Sequence, residues 1–217
     1  MKHRLRQQAF GFMNRGGKRR GAGRKPKGER ALVSHARREE FRRDQPLHVT
    51  VRLRSGLPNL RYREAHEVLK QAMAEASRGE GFRVIEYSVQ SNHLHLVAES
   101  VGRRELARGM IGLLVRVARA LNKLWKRAGQ VFSDRFHARA LKTPREVRIA
   151  LIYVLNNARK HGAWRAHVPD EYSSGPAFDG WTNLAESKPR FLARARTWLL
   201  AFGWRRHGRI DPRAAPA

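Results

Sequence analysis

Two histidines that alternate with leucine are the first residues that could carry out chemistry. His93, Leu94 and His95 begin the stretch HLHLVAE, whose alternation predicts a β-strand at about 93–99. Because successive side chains of a strand point to opposite faces, the two imidazoles share one face and lie about 7 Å apart at Cα. Neutral imidazole nitrogens at this spacing suit two ligands of one metal ion. A pair of exposed strand histidines has the same spacing, so both interpretations remain open.

A tyrosine and an asparagine follow further along the chain, one helical turn apart. Tyr153 and Asn157 occur in ALIYVLNNARKHG, within a helix predicted from about 144 to 159. If this helix covers the histidine face, Tyr153 and Asn157 meet His93 and His95. Asn157 would then be a third, oxygen ligand of the metal, and the Tyr153 hydroxyl would be a nucleophile beside it. The alternative is that Tyr153 packs in the core while Asn157 caps the helix.

These side chains need a scaffold, and the remaining pattern predicts an α+β fold. Strand and helix periodicities follow the order β-α-β-β-α-β, with a further helix that carries Tyr153. This is the order of a ferredoxin-like antiparallel sheet with two helices on one face. Leu94, Leu96 and Ala98 should pack on those two helices, which leaves the histidine face for the last one. The predicted elements are strands at about 47–54, 82–90, 93–99 and 131–141, and helices at about 62–78, 103–127 and 144–159.

The tyrosines differ in their expected surroundings. Tyr153 alone, among the four in the chain, combines a helix with a polar partner one turn on. Tyr87 is expected to share a strand face with Ile85 and Val89, which indicates packing. Tyr153 is therefore a candidate nucleophile, with packing in the core as the alternative.

The chain divides by composition into three parts. Residues 1–46 form a basic N-terminal arm, residues 47–162 the ferredoxin-like domain with the tyrosine-bearing helix, and residues 163–217 a C-terminal extension with a loop and a helix at about 188–203. The glycine-rich stretch 14–30 is either an arm that follows DNA phosphates or enters a minor groove, or a solvated tail. The candidate DNA-binding residues of the arm are Arg19, Arg20, Arg24, Lys25 and Lys27.

The net charge points to a polyanionic partner. The chain has 46 Lys and Arg against 18 Asp and Glu, a formal charge of +28. Such a charge repels itself in a compact monomer, and nucleic acid is the partner whose phosphates best explain it. The absence of cysteine excludes disulfides and thiolate metal sites and favours a reducing compartment. No apolar run approaches the ~18 residues of a membrane span, so we expect a cytoplasmic protein associated with the nucleoid.

The ordered set of motifs resembles one known family. The stretch 47–162 is similar to the REP-associated tyrosine transposases, relatives of the IS200-like single-tyrosine transposases of the HUH superfamily. The resemblance rests on NHLHLV at 92–97, on QVFSDRFHARAL before the last core helix, and on YVLNNARKHG at 153–162. The family's histidine pair falls on His93 and His95, its nucleophilic tyrosine on Tyr153, and the polar residue one turn later on Asn157. Relatives often have Asn-Pro where this chain has Asn157 followed by alanine, a departure that removes no catalytic group.

The resemblance implies an enzyme that cuts and rejoins single-stranded DNA. The tyrosine oxygen attacks the scissile phosphate, which leaves a 5′-phosphotyrosine and a free 3′-hydroxyl, with Mg²⁺ or Mn²⁺ as the cofactor. Two imidazole ligands suit Mn²⁺ better than Mg²⁺. Relatives act on repetitive extragenic palindromes that form hairpins beside a tetranucleotide, which implies a bacterial chromosomal substrate. No Walker pattern for ATP is present.

Further basic side chains are candidates for DNA contact. Arg135, His137 and Arg139 alternate on the predicted fourth strand, where they either grip phosphates or form an exposed basic edge that discourages aggregation. Lys160 and His161 follow Tyr153 by one to two helical turns and are further candidates.

The alternative function is a non-catalytic nucleic-acid-binding protein with a ferredoxin-like domain, although the RRM signature is absent. A degenerate transposase that binds without cutting, and a structural ribonucleoprotein subunit, are further alternatives. A monomer and a homodimer, with the active site assembled within one chain or between two, both fit the sequence.

Overall fold

The computed structural model describes residues 40–160, 162, 168–184, 187–214 and 216. The candidate residues of the basic arm, the whole of His161 and the side chain of Lys160 lie outside this part of the chain. The predictions made for them therefore stay predictions. None of the helices within the described ranges is both long and apolar enough to cross a membrane.

Within these ranges, four strands form one antiparallel sheet with the order β2-β3-β1-β4. The predicted α+β class and the antiparallel sheet are confirmed. Two helices cover one face of the sheet and a third covers the other. The strands are β1 (Leu47–Arg52), β2 (Phe82–Val89), β3 (His93–Ser100) and β4 (His137–Ala140).

The helices follow the predicted order, but each is shorter than predicted. The first turn of the third helix is capped: the Thr143 hydroxyl accepts a hydrogen bond from the Glu146 N–H at 3.2 Å. The Glu146 carboxylate in turn accepts from the N–H of Lys142 at 2.6 Å. The helices are α1 (Arg63–Ala76), α2 (Arg103–Leu124), α3 (Pro144–Leu155), α4 (Asn157–Lys160) and α5 (Trp198–Ala201), and short 3₁₀ segments lie at Gly175–Ala177 and Gly203–His207.

The face of the sheet under α1 and α2 is apolar. Leu94, Leu96 and Ala98 of β3 are fully buried there, as the strand alternation predicts. They pack with buried side chains of both helices, among them Leu69 of α1 and Leu113 of α2. This face buries most of the large aliphatic side chains of β1 and β3, so it forms the main hydrophobic core.

The opposite face is covered by α3 and by the C-terminal extension. On this face, Val97 of β3 packs in a second core with apolar residues of α3 and of the C-terminal extension. The members contributed by α3 are Val147, Ala150, Leu151, Val154 and Leu155, and those contributed by the extension include Phe178, Trp181, Leu200, Trp204 and Ile210. The face that carries the histidines is thus the one that α3 covers.

A β-bulge in β2 changes the alternation of side chains. Val84 pairs with Ala98 and Glu86 pairs with Val97, so that Ile85 is an extra residue. Ile85 lies in the second core, whereas Tyr87 and Val89 lie in the main core. The prediction that Tyr87 shares a face with Ile85 is therefore wrong, because strict alternation does not hold across a bulge.

Three predicted elements end elsewhere. The strand expected at 131–141 is interrupted: Phe132 forms an isolated antiparallel bridge with Leu53 just after β1, and the regular strand begins only at His137. Between them the N–H of Arg135 donates to the Asp134 carboxylate in a loop. Arg135 thus lies outside the strand that holds His137 and Arg139. The tyrosine-bearing helix ends at Leu155 instead of about residue 159, and α4 begins two residues later.

The helix expected at 188–203 is limited to Trp198–Ala201, followed by a 3₁₀ turn. The N–H groups of Arg196 and Thr197 donate to the carboxylate of Glu99 on β3, at 2.8 to 3.0 Å, instead of to carbonyls of a helix. Phe202, near the end of the predicted helix, is 67% exposed. The apolar residues of this segment have helical spacing, but the buried Glu99 carboxylate needs hydrogen-bond donors, and the segment supplies them instead of forming a helix there.

Candidate active site

The predicted histidine pair is joined on the sheet by a third histidine. The rings of His93 and His95 have centroids 4.8 Å apart, and His48 of β1 stacks on His95 at 5.3 Å. Nδ1 of His95 lies 3.2 Å from both Nε2 of His48 and the Thr50 hydroxyl. His95 is buried, and His93 is half-buried at the start of β3. The sheet therefore holds His95 in one orientation through β1.

Sequence analysis missed His48 because its position depends on strand pairing. In β1 it alternates with Leu47 and Val49, and it lies opposite Val97 of β3. The polar alternation of LHVTVR is the only signal that it shares a face with other polar residues. Which residues it meets depends on the register of two strands that are distant in sequence.

His48 is neutral at physiological pH. Burial, with smaller contributions from the neighbouring His137 and Arg139, lowers its pKa to about 4. A neutral imidazole can both donate and accept a hydrogen bond, so His48 contacts His95 without adding positive charge to the site.

Helix α3 brings Tyr153 to this cluster. The Tyr153 ring is 5.1 Å from that of His95 and 5.5 Å from that of His48, between centroids, and both contacts are edge-to-face. Tyr153 is half-buried against the second core. The predicted juxtaposition of the tyrosine with the histidine face is thus present, while the role of each residue stays a prediction.

Asn157 is completely buried at the start of α4. Among the described residues, neither atom of its carboxamide has a hydrogen-bond partner. Asn156, the residue between α3 and α4, donates instead to the carbonyls of Asp211 and Ala214, at 3.4 and 2.9 Å. A buried amide without a partner costs about 1–3 kcal/mol, so an external ligand at this position would stabilise it.

The residue types of the predicted donor set suit a divalent metal ion. Within the described residues, no three His, Cys, Asp or Glu side chains form a metal-binding group. The predicted set is instead two imidazoles, His93 and His95, with the amide oxygen of Asn157. Nδ1 of His95 is directed at His48 and Thr50, which leaves Nε2 as the nitrogen to bind a metal, and such outer hydrogen bonds are typical of metal-binding histidines.

Basic side chains of β4 lie on the same face. His137 is paired with Thr50 and Arg139 with His48 in the β1–β4 register, and residues directly opposite in a sheet point the same way. Both are exposed, and Arg139 also approaches Glu146 at 3.6 Å. These two candidates for DNA contact therefore border the histidine cluster, whereas Arg135 precedes the strand.

Comparison with known proteins shows a fold shared with one solved structure. No model of a known protein family matches the chain, and no curated protein sequence does either. A solved structure described as a REP-associated tyrosine transposase bound to a REP hairpin is similar, with a TM-score of 0.51 and 17% identity, over 65% of this chain and 82% of that one. A putative transposase from Deinococcus radiodurans R1 aligns with a TM-score of 0.39 and 10% identity, over 63% of this chain and all of that one. The first likeness shows a shared fold and confirms, at that level, the resemblance found in the sequence.

Proposed function

We propose that this protein is a single-tyrosine DNA transposase that cuts and rejoins single strands through a covalent link to Tyr153. The observation that carries the proposal is the contact of Tyr153 with the His95 ring, on a sheet face that also carries His48 and His93. The fold shared with a REP-associated tyrosine transposase supports it.

The proposed reaction is a transesterification. The Tyr153 oxygen forms a bond to the scissile phosphorus while the bond from phosphorus to the 3′ oxygen breaks. The phenol releases its proton and the departing oxygen becomes a 3′-hydroxyl, so no further reactant is consumed. Rejoining is the reverse attack by a 3′-hydroxyl on the phosphotyrosine, which conserves the energy of the phosphodiester.

The chain's own residues orient this reaction. α3 holds the Tyr153 ring edge-on to two imidazoles, which limits the positions of its hydroxyl. His93, His95 and Asn157 would hold Mg²⁺ or Mn²⁺. When bound, such an ion supplies positive charge that polarises the phosphoryl oxygen and stabilises the developing negative charge. His48 and Thr50 would keep the His95 ring in place.

The proposed substrate is single-stranded DNA beside a hairpin. The charge of +28 supports binding to phosphates, and His137 and Arg139 extend the positive surface to the edge of the site. The REP hairpin in the similar structure supports a hairpin-forming repeat as the target. The basic arm, with Arg19, Arg20 and Arg24 among its residues, would add phosphate contacts.

The test is to trap the covalent adduct. We expect the wild-type protein with Mn²⁺ and a labelled hairpin oligonucleotide to yield a protein–DNA adduct at Tyr153, identified by mass spectrometry. Tyr153→Phe removes one oxygen from a half-buried ring, so the protein should fold, bind DNA and form no adduct. The matched control is Tyr62→Phe, at a tyrosine that is 61% exposed beside α1.

Two outcomes would contradict the proposal. An adduct in Tyr153→Phe would assign the nucleophile to another residue. DNA binding with no adduct in the wild-type protein, under any divalent ion, would favour a non-catalytic nucleic-acid-binding protein instead.

A further inference from the structure

A second pocket lies on the same side of the sheet, at its β2 edge. It has a volume of about 880 Å³, is open to solvent, and is lined by residues of the β2 bulge, of α3, and of the segments 177–179 and 187–209. This volume is within the ~300–1,000 Å³ typical of pockets for small ligands. Ile85 and Glu86, the two successive residues that the bulge turns to this face, form part of its lining.

The carboxylate of Glu86 is the buried polar group of this pocket. Glu86 is 3% exposed, and its Oε1 accepts a hydrogen bond from the Arg190 guanidinium at 2.8 Å. The Ser174 hydroxyl also interacts with this carboxylate, but among the described residues the buried Oε2 has no hydrogen-bond partner within 3.5 Å. A buried acceptor without a donor is costly, so the pocket is suited to a ligand that donates a hydrogen bond to Oε2.

Further arginines belong to the lining of this pocket. They are Arg194, Arg196 and Arg209, and none of their guanidinium groups is paired with a carboxyl group of the described residues. Arg205 also lines the pocket, but it is paired with Asp179 at 2.7 Å. The unpaired arginines suit a ligand that carries negative charge, and guanidinium groups bind phosphate particularly well.

The pocket also offers an aromatic surface. Phe202 belongs to the lining and is 67% exposed, whereas Phe178 and Trp204, which stack on each other with centroids 5.5 Å apart, are buried. An exposed ring of this kind can stack on a nucleobase, a contact worth about 1–3 kcal/mol per base.

We propose that this pocket binds one unpaired nucleotide of the DNA strand, and that Glu86 selects a base with an exocyclic amino group. The amino group donates to Oε2 of Glu86, the base contacts Phe202, and the arginines meet the flanking phosphates. Thymine and uracil have a carbonyl oxygen at the corresponding position and are disfavoured, since two acceptors would face each other. The inference rests on the proposed function, because it takes DNA as the ligand.

The first test leaves the protein unchanged. Short oligodeoxycytidine and oligodeoxyuridine differ at the pyrimidine in the exocyclic amino group and the ring nitrogen beside it. We expect fluorescence anisotropy at fixed salt to show about tenfold tighter binding of the cytidine strand. Equal affinities would overturn the inference.

The second test assigns the preference to Glu86. Glu86→Gln retains the size of the side chain and introduces an amide donor, so the affinity ratio should approach one. The matched control is Glu75→Gln, at an exposed glutamate of α1 that pairs with Arg78, and it should leave the ratio unchanged. An unchanged ratio in a folded Glu86→Gln protein would overturn the inference.

A third variant does not depend on replacing a buried charge. Phe202→Ala removes an exposed ring and should weaken binding of both strands several-fold, whereas a change of less than twofold would contradict the base contact. All of these measurements report binding. A wild-type protein that forms no adduct would contradict the proposed function. If the Tyr153→Phe protein keeps the base preference in that case, the assignment of this pocket as a nucleotide-binding site would still hold.

Discussion

The two faces of the sheet use the same strands in different ways. Under α1 and α2, β3 contributes Leu94 and Leu96 to an apolar core. On the face under α3, the same strand contributes His93 and His95, with Val97 packed beside them. One set of alternating residues in β3 therefore packs the core, while the other set carries the side chains of the candidate active site.

The difference shows where each face obtains its stability. The apolar face is stabilised by burial, which requires no particular partner atom. The other face contains carboxylates that need specific donors from distant residues. Glu99, for example, accepts from Arg83 of β2 and from Thr197 of the C-terminal extension, each at 2.8 Å. Hydrogen bonds, as well as contacts of its apolar residues, therefore hold the C-terminal extension against the polar face.

The largest expected effect concerns activity on the polar face. His95→Ala should lower the cleavage rate at least about 100-fold, because it removes a proposed metal ligand and the partner of His48. DNA affinity should change less than about threefold, since most of it comes from phosphate contacts elsewhere. The measurements are single-turnover cleavage and anisotropy with a hairpin oligonucleotide.

The control for this variant is the same substitution at an exposed histidine. His207 lies in the last 3₁₀ segment, and His207→Ala should leave both values unchanged. Metal-dependent cleavage by His95→Ala at the wild-type rate would rule out the assigned site.

The second effect concerns stability on the apolar face. Leu96 is completely buried next to His95, and Leu96→Ala should lower the free energy of unfolding by about 2–5 kcal/mol. Urea unfolding measures this loss. Once folded at low temperature, the variant should still cleave within about threefold of the wild-type rate. A loss below about 1 kcal/mol would show that this face is not the main core.

The smallest effect concerns a histidine that serves structure instead of chemistry. His66 of α1 is buried against the Tyr87 hydroxyl, 2.9 Å from Nε2. Burial lowers its pKa from 6.5 to about 4, with Lys70 as the next cause. Between these two values the unfolded chain binds more protons than the folded one, so stability falls as the pH drops from 6.5 toward 4. By pH 5 this histidine should account for about 1–2 kcal/mol of the loss.

His66→Asn should remove that part of the pH dependence. The measurement is the difference between the free energies of unfolding at pH 7 and pH 5, compared with His207→Asn, which changes an exposed histidine. If His66→Asn has the same pH dependence as the wild-type protein, His66 does not titrate as its burial implies.

Local patterns were sufficient to predict the main architecture. Alternation in β3 separated Leu94 and Leu96 from the histidines, and helical spacing placed α1, α2 and α3 in the right order. The family resemblance directed attention to Tyr153, and the structure places its ring beside His95. These successes depend on periodicities within single elements, which the sequence contains directly.

The remainder depends on contacts between distant residues. His48 joins the cluster only through the β1–β3 register, and Thr197 leaves a helical pattern because Glu99 accepts from its N–H. The bulge at Ile85 has no local signature that we recognised, although it decides which residues of β2 face α3. Polar pairings of this kind are long-range, and single-sequence periodicity does not contain them.

The bulge also limits how this strand can change in length during evolution. Because Val84 and Glu86 are paired with successive residues of β3, a chain that lacked Ile85 would have a continuous alternation in β2. Such a deletion would remove one pocket-lining residue while leaving both halves of the strand in their present register. An added or missing residue elsewhere in β2 would instead turn half of its side chains to the wrong face. Relatives of this chain should therefore tolerate insertions and deletions in β2 at the bulge, and an alignment of such chains should place its gap there.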